Sequence, residues 1–244
     1  MTVDPPRSPH AALAMDGRYR KGRKIERLLE LALDSSPRRL LEVGAGSGWI
    51  SHYFVHESSG RYDVDAVDVV DNRQSKDGYR FTPVTGTGLP FADGVFDVVI
   101  SNHVIEHVGD DDAQDRHLRE LHRVLKSGGV GYLAVPNRWM LVEPHYRLAF
   151  LSWWPERWRS GWLRLWRKGR HYDCRPLSCG QLERCLELAG FRFEQAHGLA
   201  LRATFEIEFP DNPLWRHALR HIPVGAWSLA RRMFPTLIYH LRKA

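Results

Sequence analysis

The stretch Arg38-Arg39-Leu40-Leu41-Glu42-Val43 runs directly into Gly44-Ala45-Gly46-Ser47-Gly48 and then into Trp49-Ile50. A short apolar run, alternating glycines and a renewed apolar pattern read as a buried strand, a tight turn and a helix. Without Cβ atoms, such a turn lets backbone come close to a ligand at the end of a strand. This one unit restricts the chain to folds in which strands and helices alternate.

The rest of the chain repeats that rhythm. Strands are predicted over 38–43, 62–69, 80–84, 96–101 and 130–135. Helices are predicted over 19–33, 50–56 and 112–125, the last stopped by Ser127-Gly128-Gly129. A further helix at 178–189 and strands at 191–196 and 236–241 complete the reading. Near-continuous apolar strands joined by helices predict a parallel sheet covered on both faces, that is, an α/β, Rossmann-like doubly wound fold. With 244 residues the chain suits one domain. Residues 1–17 are expected to form a flexible N-terminal arm and 18–244 a single domain. The segments 138–176 and 199–235 break the alternation and are expected as lid or acceptor-binding insertions.

A net charge of +6 favours acidic partners without choosing among phosphates, nucleic acid and an anionic membrane. The three cysteines, Cys174, Cys179 and Cys185, form no CxxC pair, so neither a metal site nor a disulfide framework is expected, and a reducing cytoplasm is the simplest home. No apolar run reaches the length of a membrane span, and the N-terminus lacks the apolar core of a signal peptide.

The loop departs from a dinucleotide fingerprint. Trp49 occupies the region where a Gly-x-Gly-x-x-Gly pattern needs its last glycine, and Glu42 would repel a pyrophosphate but suit an ammonium group. Asp68, at the end of the second strand, is placed to accept hydrogen bonds from two ribose hydroxyls. S-adenosylmethionine (SAM), which has an amine, a carboxylate, a sulfonium and no phosphate, meets all three conditions.

Together with these residues, Leu89-Pro90-Phe91-Ala92-Asp93-Gly94-Val95-Phe96-Asp97, Asn102-His103-Val104-Ile105-Glu106-His107-Val108 and Leu121-His122-Arg123-Val124-Leu125-Lys126-Ser127-Gly128-Gly129 resemble the motifs of the class I SAM-dependent methyltransferases, in particular small-molecule enzymes of the ubiquinone-biosynthesis type. The resemblance runs from about Arg38 to Asn137. It implies a seven-stranded sheet with an antiparallel last strand. It also implies a SAM site made of Glu42, Gly44, Ala45, Gly46, Gly48, Asp68, Val69, Thr87, Gly88, Leu89, Asn102 and His103. Where many relatives carry an acid beside the adenine amine, this chain has Thr85-Gly86-Thr87-Gly88.

Methyl transfer from a sulfonium needs positioning first, and a base only when the acceptor must lose a proton. His103 and His107, spaced one helical turn apart, and His145 in Glu143-Pro144-His145-Tyr146 are the candidate catalytic bases, with His171 behind them. Between Phe150 and Arg170 lie five Trp and five Arg. At 100° per residue, Leu151, Trp154, Trp158, Trp162, Leu165 and Trp166 fall on one arc, with Arg157, Arg164 and Lys168 among the bases opposite. Such a helix fits an anionic membrane surface, a lid over the acceptor pocket, or both. No nucleic-acid-binding module is visible. The expected activity is methyl transfer, to oxygen of a small or lipid-linked acceptor, on the inner face of the membrane. The alternatives are transfer to carbon or nitrogen of a soluble metabolite and a SAM-binding partner without catalysis.

Overall fold

The computed structural model describes residues 14–29 and 37–243. Its central element is β1, Arg38–Val43, which is hydrogen-bonded on both sides. Leu40 points to the helices α1 (Met15–Leu28) and α2 (Trp49–His56), whereas Leu41 and Val43 point to α3 (Asp111–Val124) and α5 (Cys179–Leu188). The same alternation runs through β4 (Phe96–Asn102), where Val98 and Ile100 serve one core and Val99 the other. Period-two patterning with both faces apolar produces the continuous hydrophobic runs seen in the sequence.

β2 (Tyr62–Asp68) and β3 (Arg80–Pro83) extend the sheet on one side, and β5 (Leu125–Pro136) on the other. β1 to β5 are mutually parallel. β9 (Thr236–Arg242) then inserts antiparallel between β5 and the edge strand β8 (Arg192–Gln195). The order β3-β2-β1-β4-β5-β9-β8 makes seven strands, the Rossmann-like architecture implied by the sequence.

Three local readings change. Met15, Asp16 and Gly17 belong to the first turn of α1 and not to a loose arm, while residues 1–13 and the end of the expected 19–33 helix lie outside the described residues. Helix α3 ends at Val124 and passes directly into β5, so Ser127-Gly128-Gly129 lies inside the strand and does not cap the helix. The 199–235 stretch divides in two. Its first part lies in α6 (His197–Glu208), which buries Ala200 and Ala203 and ties its far end to α1 through Lys24–Glu208 at 2.5 Å and Arg27–Glu206. Its second part comprises α7 (Pro213–His217) and short 3-10 turns.

The insert after β5 consists of a small hairpin, β6 (Val142–Glu143) with β7 (Leu148–Ala149), and α4 (Glu156–Leu165), gathered on a separate cluster that includes Leu148, Leu151, Leu163, Tyr172 and Cys174.

Helix α1 approaches α2 at Gly22, where an added Cβ would lie 2.5 Å from Tyr53 Cδ1. Tyr53 is buried and its hydroxyl donates to Glu26 Oε2 at 2.7 Å, so its ring has no room to withdraw. Helix propensity alone would reward Gly22→Ala by up to about 1 kcal/mol. Overpacking costs typically about 1–3 kcal/mol and outweighs it. Gly22→Ala should therefore lower the melting temperature, as read by calorimetry.

Candidate active site

The glycine loop turns through left-handed backbone at all three glycines, with φ of 82° at Gly44, 52° at Gly46 and 78° at Gly48. Each has a spatial or hydrogen-bonding neighbour that explains the turn. A Cβ on Gly44 would strike Val104 Cγ2 at 2.3 Å, and one on Gly48 would strike the Tyr79 hydroxyl at 2.1 Å. The third glycine thus makes room for the 70–79 loop, which also reaches over through Gln74 N–H to Ser47 O at 2.9 Å. Four of the five loop N–H groups are engaged inside the protein. Gly44 and Ala45 donate to Val67 O, Gly46 to Asp68 Oδ2 at 2.8 Å and Gly48 to Ala45 O. A phosphate cradle needs several free N–H donors, and with the N–H groups of Gly44, Ala45, Gly46 and Gly48 taken this loop is poorly suited to one.

Asp68 closes the loop and keeps its carboxylate at the mouth. Its two oxygens accept from Gly46 N and Val69 N, which leaves further lone pairs for a diol, since an ionised carboxylate has about four acceptor sites. Val69 itself is exposed. At the end of β4, Asn102 Oδ1 is buried without a hydrogen-bond partner, as expected of an acceptor reserved for a ligand group.

Glu42 lies deeper than the sequence suggests. It is only 2% exposed, on the α1/α2 side of β1, where Ser51 on α2 donates to its Oε2. Burial pushes its carboxyl up to about 7 against the opposing effects of Ser51 and Arg18. It therefore underpins the loop from below.

The 84–88 loop and Leu89 edge an open pocket of about 350 Å³ lined by Val84, Thr85, Gly88, Leu89 and Glu120. Glu120 comes from α3, and its Oε2 accepts from Leu89 N at 2.8 Å. Arg123 completes the clamp by donating to Phe91 O, Leu89 O and Asp93. Sequence reasoning missed both residues. The helical spacing of Glu120, just before the closing motif, and Arg123, within it, was the available signal. Thr87 is half-buried beside this loop.

His103 and His107 do not share a helix face, contrary to the spacing argument. Only Ile105–His107 forms a 3-10 turn, and His103 precedes it in left-handed backbone, φ 58°. They share a carboxylate instead. Glu106 Oε1 is 3.3 Å from His103 Nδ1 and 3.9 Å from His107 Nε2. Burial works to raise Glu106, but the His103 hydrogen bond and the nearby imidazoles outweigh it and hold the carboxyl below its usual range. His145 stands next to His107, ring centroids 5.5 Å apart, whereas His171 is exposed.

In α4 the buried side is formed by Arg159 and Leu163. The tryptophan arc is split: Leu151 belongs to the cluster beneath and Trp162 packs against it, whereas Trp158 and Trp166 face away. Trp158 is 51% and Trp166 55% exposed. The rings form a row, Trp158 to Trp154 to Trp162 to Trp166, with centroids 5.2–5.9 Å apart. Arg157, Arg164 and Lys168 are exposed around it. Helix α4 spans only part of the plotted segment, since Leu151, Trp154, Trp166 and Lys168 lie outside it, and Leu163 with Arg159 anchors it.

Comparison with known proteins agrees with this geometry. Residues 15–196 match the family model described as "Methyltransferase domain". A malonyl-[acyl-carrier protein] O-methyltransferase of Geobacter sulfurreducens is 28% identical over 219 residues, 83% of this chain and 73% of the relative. An uncharacterized methyltransferase of Mycobacterium sp. (strain JLS) is 33% identical over 111 residues, 44% of this chain. That match spans only 43% of the mycobacterial protein's length. Among solved structures, a SAM-dependent methyltransferase from Mesorhizobium loti superposes with a TM-score of 0.58 at 16% identity, covering 94% of this chain and 100% of that one, a likeness of fold. The chain belongs to the class I SAM-dependent methyltransferase family.

Because Glu42 keeps its proton in the folded state between its ordinary value of 4.5 and about 7, while the unfolded chain loses it, folding stability falls as pH rises through that window and is flat above it. The difference amounts to up to about 3 kcal/mol. Glu42→Gln, which can still accept from Ser51, should gain on the wild type by that amount across the window in denaturant-unfolding measurements.

Proposed function

We propose that the chain binds SAM at the carboxyl ends of β1, β2 and β4 and transfers its methyl group to oxygen of a small or lipid-linked acceptor. The observation that carries this reading is the loop and its flanks: four of its five N–H groups are consumed, while Asp68 at the end of β2 and the buried, orphaned Asn102 Oδ1 at the end of β4 are available as acceptors. That arrangement suits the hydroxyls and ammonium of SAM and disfavours a pyrophosphate. Gly44, Ala45 and Gly46 would hold the amino-acid end, Asp68 and Val69 the ribose, and Thr87, Gly88 and Leu89 the adenine edge, with Glu42 supporting from beneath. Bound SAM supplies an electrophilic methyl on a sulfonium.

His103 is the base this reading assigns. It follows Asn102 at the end of β4, its side chain remains partly exposed, and its Nδ1 faces the buried Glu106 carboxylate. A carboxylate that holds one ring nitrogen fixes the tautomer and leaves the other to take a proton from an acceptor hydroxyl. The Geobacter relative, named as an O-methyltransferase, supports transfer to oxygen.

The tryptophan row with Arg157, Arg164 and Lys168 is read as the surface that meets an anionic membrane, which would bring a lipid-linked acceptor within reach. Among the described residues no helix is long and apolar enough to cross a membrane, so attachment would be peripheral.

Asp68→Ala should weaken SAM binding roughly 10–100-fold in calorimetry, as loss of charge-assisted hydrogen bonds worth about 1.5–3 kcal/mol requires. Unchanged affinity in a folded variant would remove the cofactor assignment. His103→Gln should abolish the ascending limb of the pH–rate profile while leaving SAM affinity within a few-fold. Sedimentation with anionic vesicles should pull down the wild type at low salt. Replacing Arg157, Arg164 and Lys168 by Gln should cost about 3 kcal/mol of that binding, since each base contributes roughly 1 kcal/mol.

A further inference from the structure

The insert after β5 brings three metal-ligating side chains to one point beside the end of β4. His107 comes from the 3-10 turn, His145 from the β6–β7 turn, and Cys174 from the coil before α5; their ligand atoms all lie within 4.8 Å of one another. Cys174 Sγ is 3.7 Å from His107 Nδ1. A tetrahedral zinc with bonds of about 2.3 Å to sulfur and 2.0–2.1 Å to nitrogen holds neighbouring ligand atoms roughly 3.3–3.7 Å apart. Small side-chain rotations would close the three onto one ion.

The charge around this point is a second, independent observation. Glu106 and Glu143 are each 1% exposed, and Asp173 Oδ1 is 3.6 Å from Cys174 Sγ. Glu143 Oε2 accepts from Tyr146 N, but its Oε1 is buried with no hydrogen-bond partner and lies 4.0 Å from His145 Nε2. Three acidic side chains around a thiol and two imidazoles crowd a partly dry site with oxygen, nitrogen and sulfur donors. A dication would use the orphaned oxygen.

We propose that His107, His145 and Cys174 bind one divalent cation of the zinc class, with Glu143 as the fourth ligand, and that the ion fastens the 142–174 insert to the end of β4. One thiolate, two imidazoles and one carboxylate select zinc-like ions over magnesium or calcium, which prefer all-oxygen sites. Binding expels the Cys174 thiol proton to solvent. Glu106 stays with His103, so the metal site adjoins the methyl-transfer base across this carboxylate without using His103 as a ligand. The proposal does not rest on the methyltransferase reading, and SAM calorimetry on the same samples distinguishes failure of one from failure of the other.

The test is a titration of chelator-stripped protein with Co²⁺ followed by absorption, with Zn²⁺ as competitor. One Co²⁺ per chain should bind, with a thiolate-to-metal charge-transfer band that Zn²⁺ removes. Cys174→Ser should lack the band. His145→Ala should bind Co²⁺ more than tenfold more weakly, since losing even an outer-shell partner costs about 10–100-fold. If Cys174→Ser does not fold, the His145→Ala titration decides. No charge-transfer band in the wild type, the same band in Cys174→Ser, or undiminished affinity in His145→Ala overturns the proposal.

Discussion

β1 pairs with β2 on one side and β4 on the other, so the chain leaves β1 toward the α1/α2 face and leaves β4 toward the α3 face. Two parallel neighbours whose exits diverge leave a crevice at their carboxyl ends that backbone does not fill. The residues assigned to the cofactor take their positions from this parting. Asp68 ends the strand beside β1 and ties back to Gly46. Asn102 and His103 end the strand on the other side, where His103 N still donates to Ala134 O before the chain reverses. The crevice is thus bounded by strand ends whose registers are held by two buried cores.

The sheet was legible because burial on both faces leaves little freedom in composition. β1, β2, β4 and β5 each bury a stretch rich in Val, Leu, Ile and Ala. The glycine loop and Asp68 were legible for a related reason, since a sharp turn at a strand end favours Gly where φ is positive and demands it where a neighbour also comes within Cβ distance. Gly48 shows the limit of that inference. The sequence tells that a glycine is needed, but the reason, the Tyr79 hydroxyl, lies thirty-one residues on and appears only in three dimensions.

Side chains outside regular elements were read less well. His103 and His107 were placed by helical spacing, yet the chain there makes one 3-10 turn after a left-handed residue, so they converge on Glu106 and not on a common face. The His107, His145 and Cys174 group was invisible because its members are far apart in sequence and none of the short ligand spacings occurs. The helical plot of the tryptophan segment ran past both ends of α4 and did not find the side that faces protein, Arg159 and Leu163. Arg159 lies flat beneath α4, its Nε donating to Trp154 O, and a long basic side chain that buries its stem does not register as apolar.

The position of β9 bears on how such a chain is made. The slot between β5 and β8 is filled by the strand that comes last in sequence among the described residues. Until residues 236–242 have left the ribosome, β5 and β8 each present an unpaired edge, and the apolar faces of Leu133, Val135 and Phe193 have no Leu237, Tyr239 or Leu241 against which to pack. Exposed strand edges template association with other chains. Synthesis therefore passes through a long interval in which the cofactor half is complete in sequence while its sheet is still open, and closure of the domain waits on seven residues.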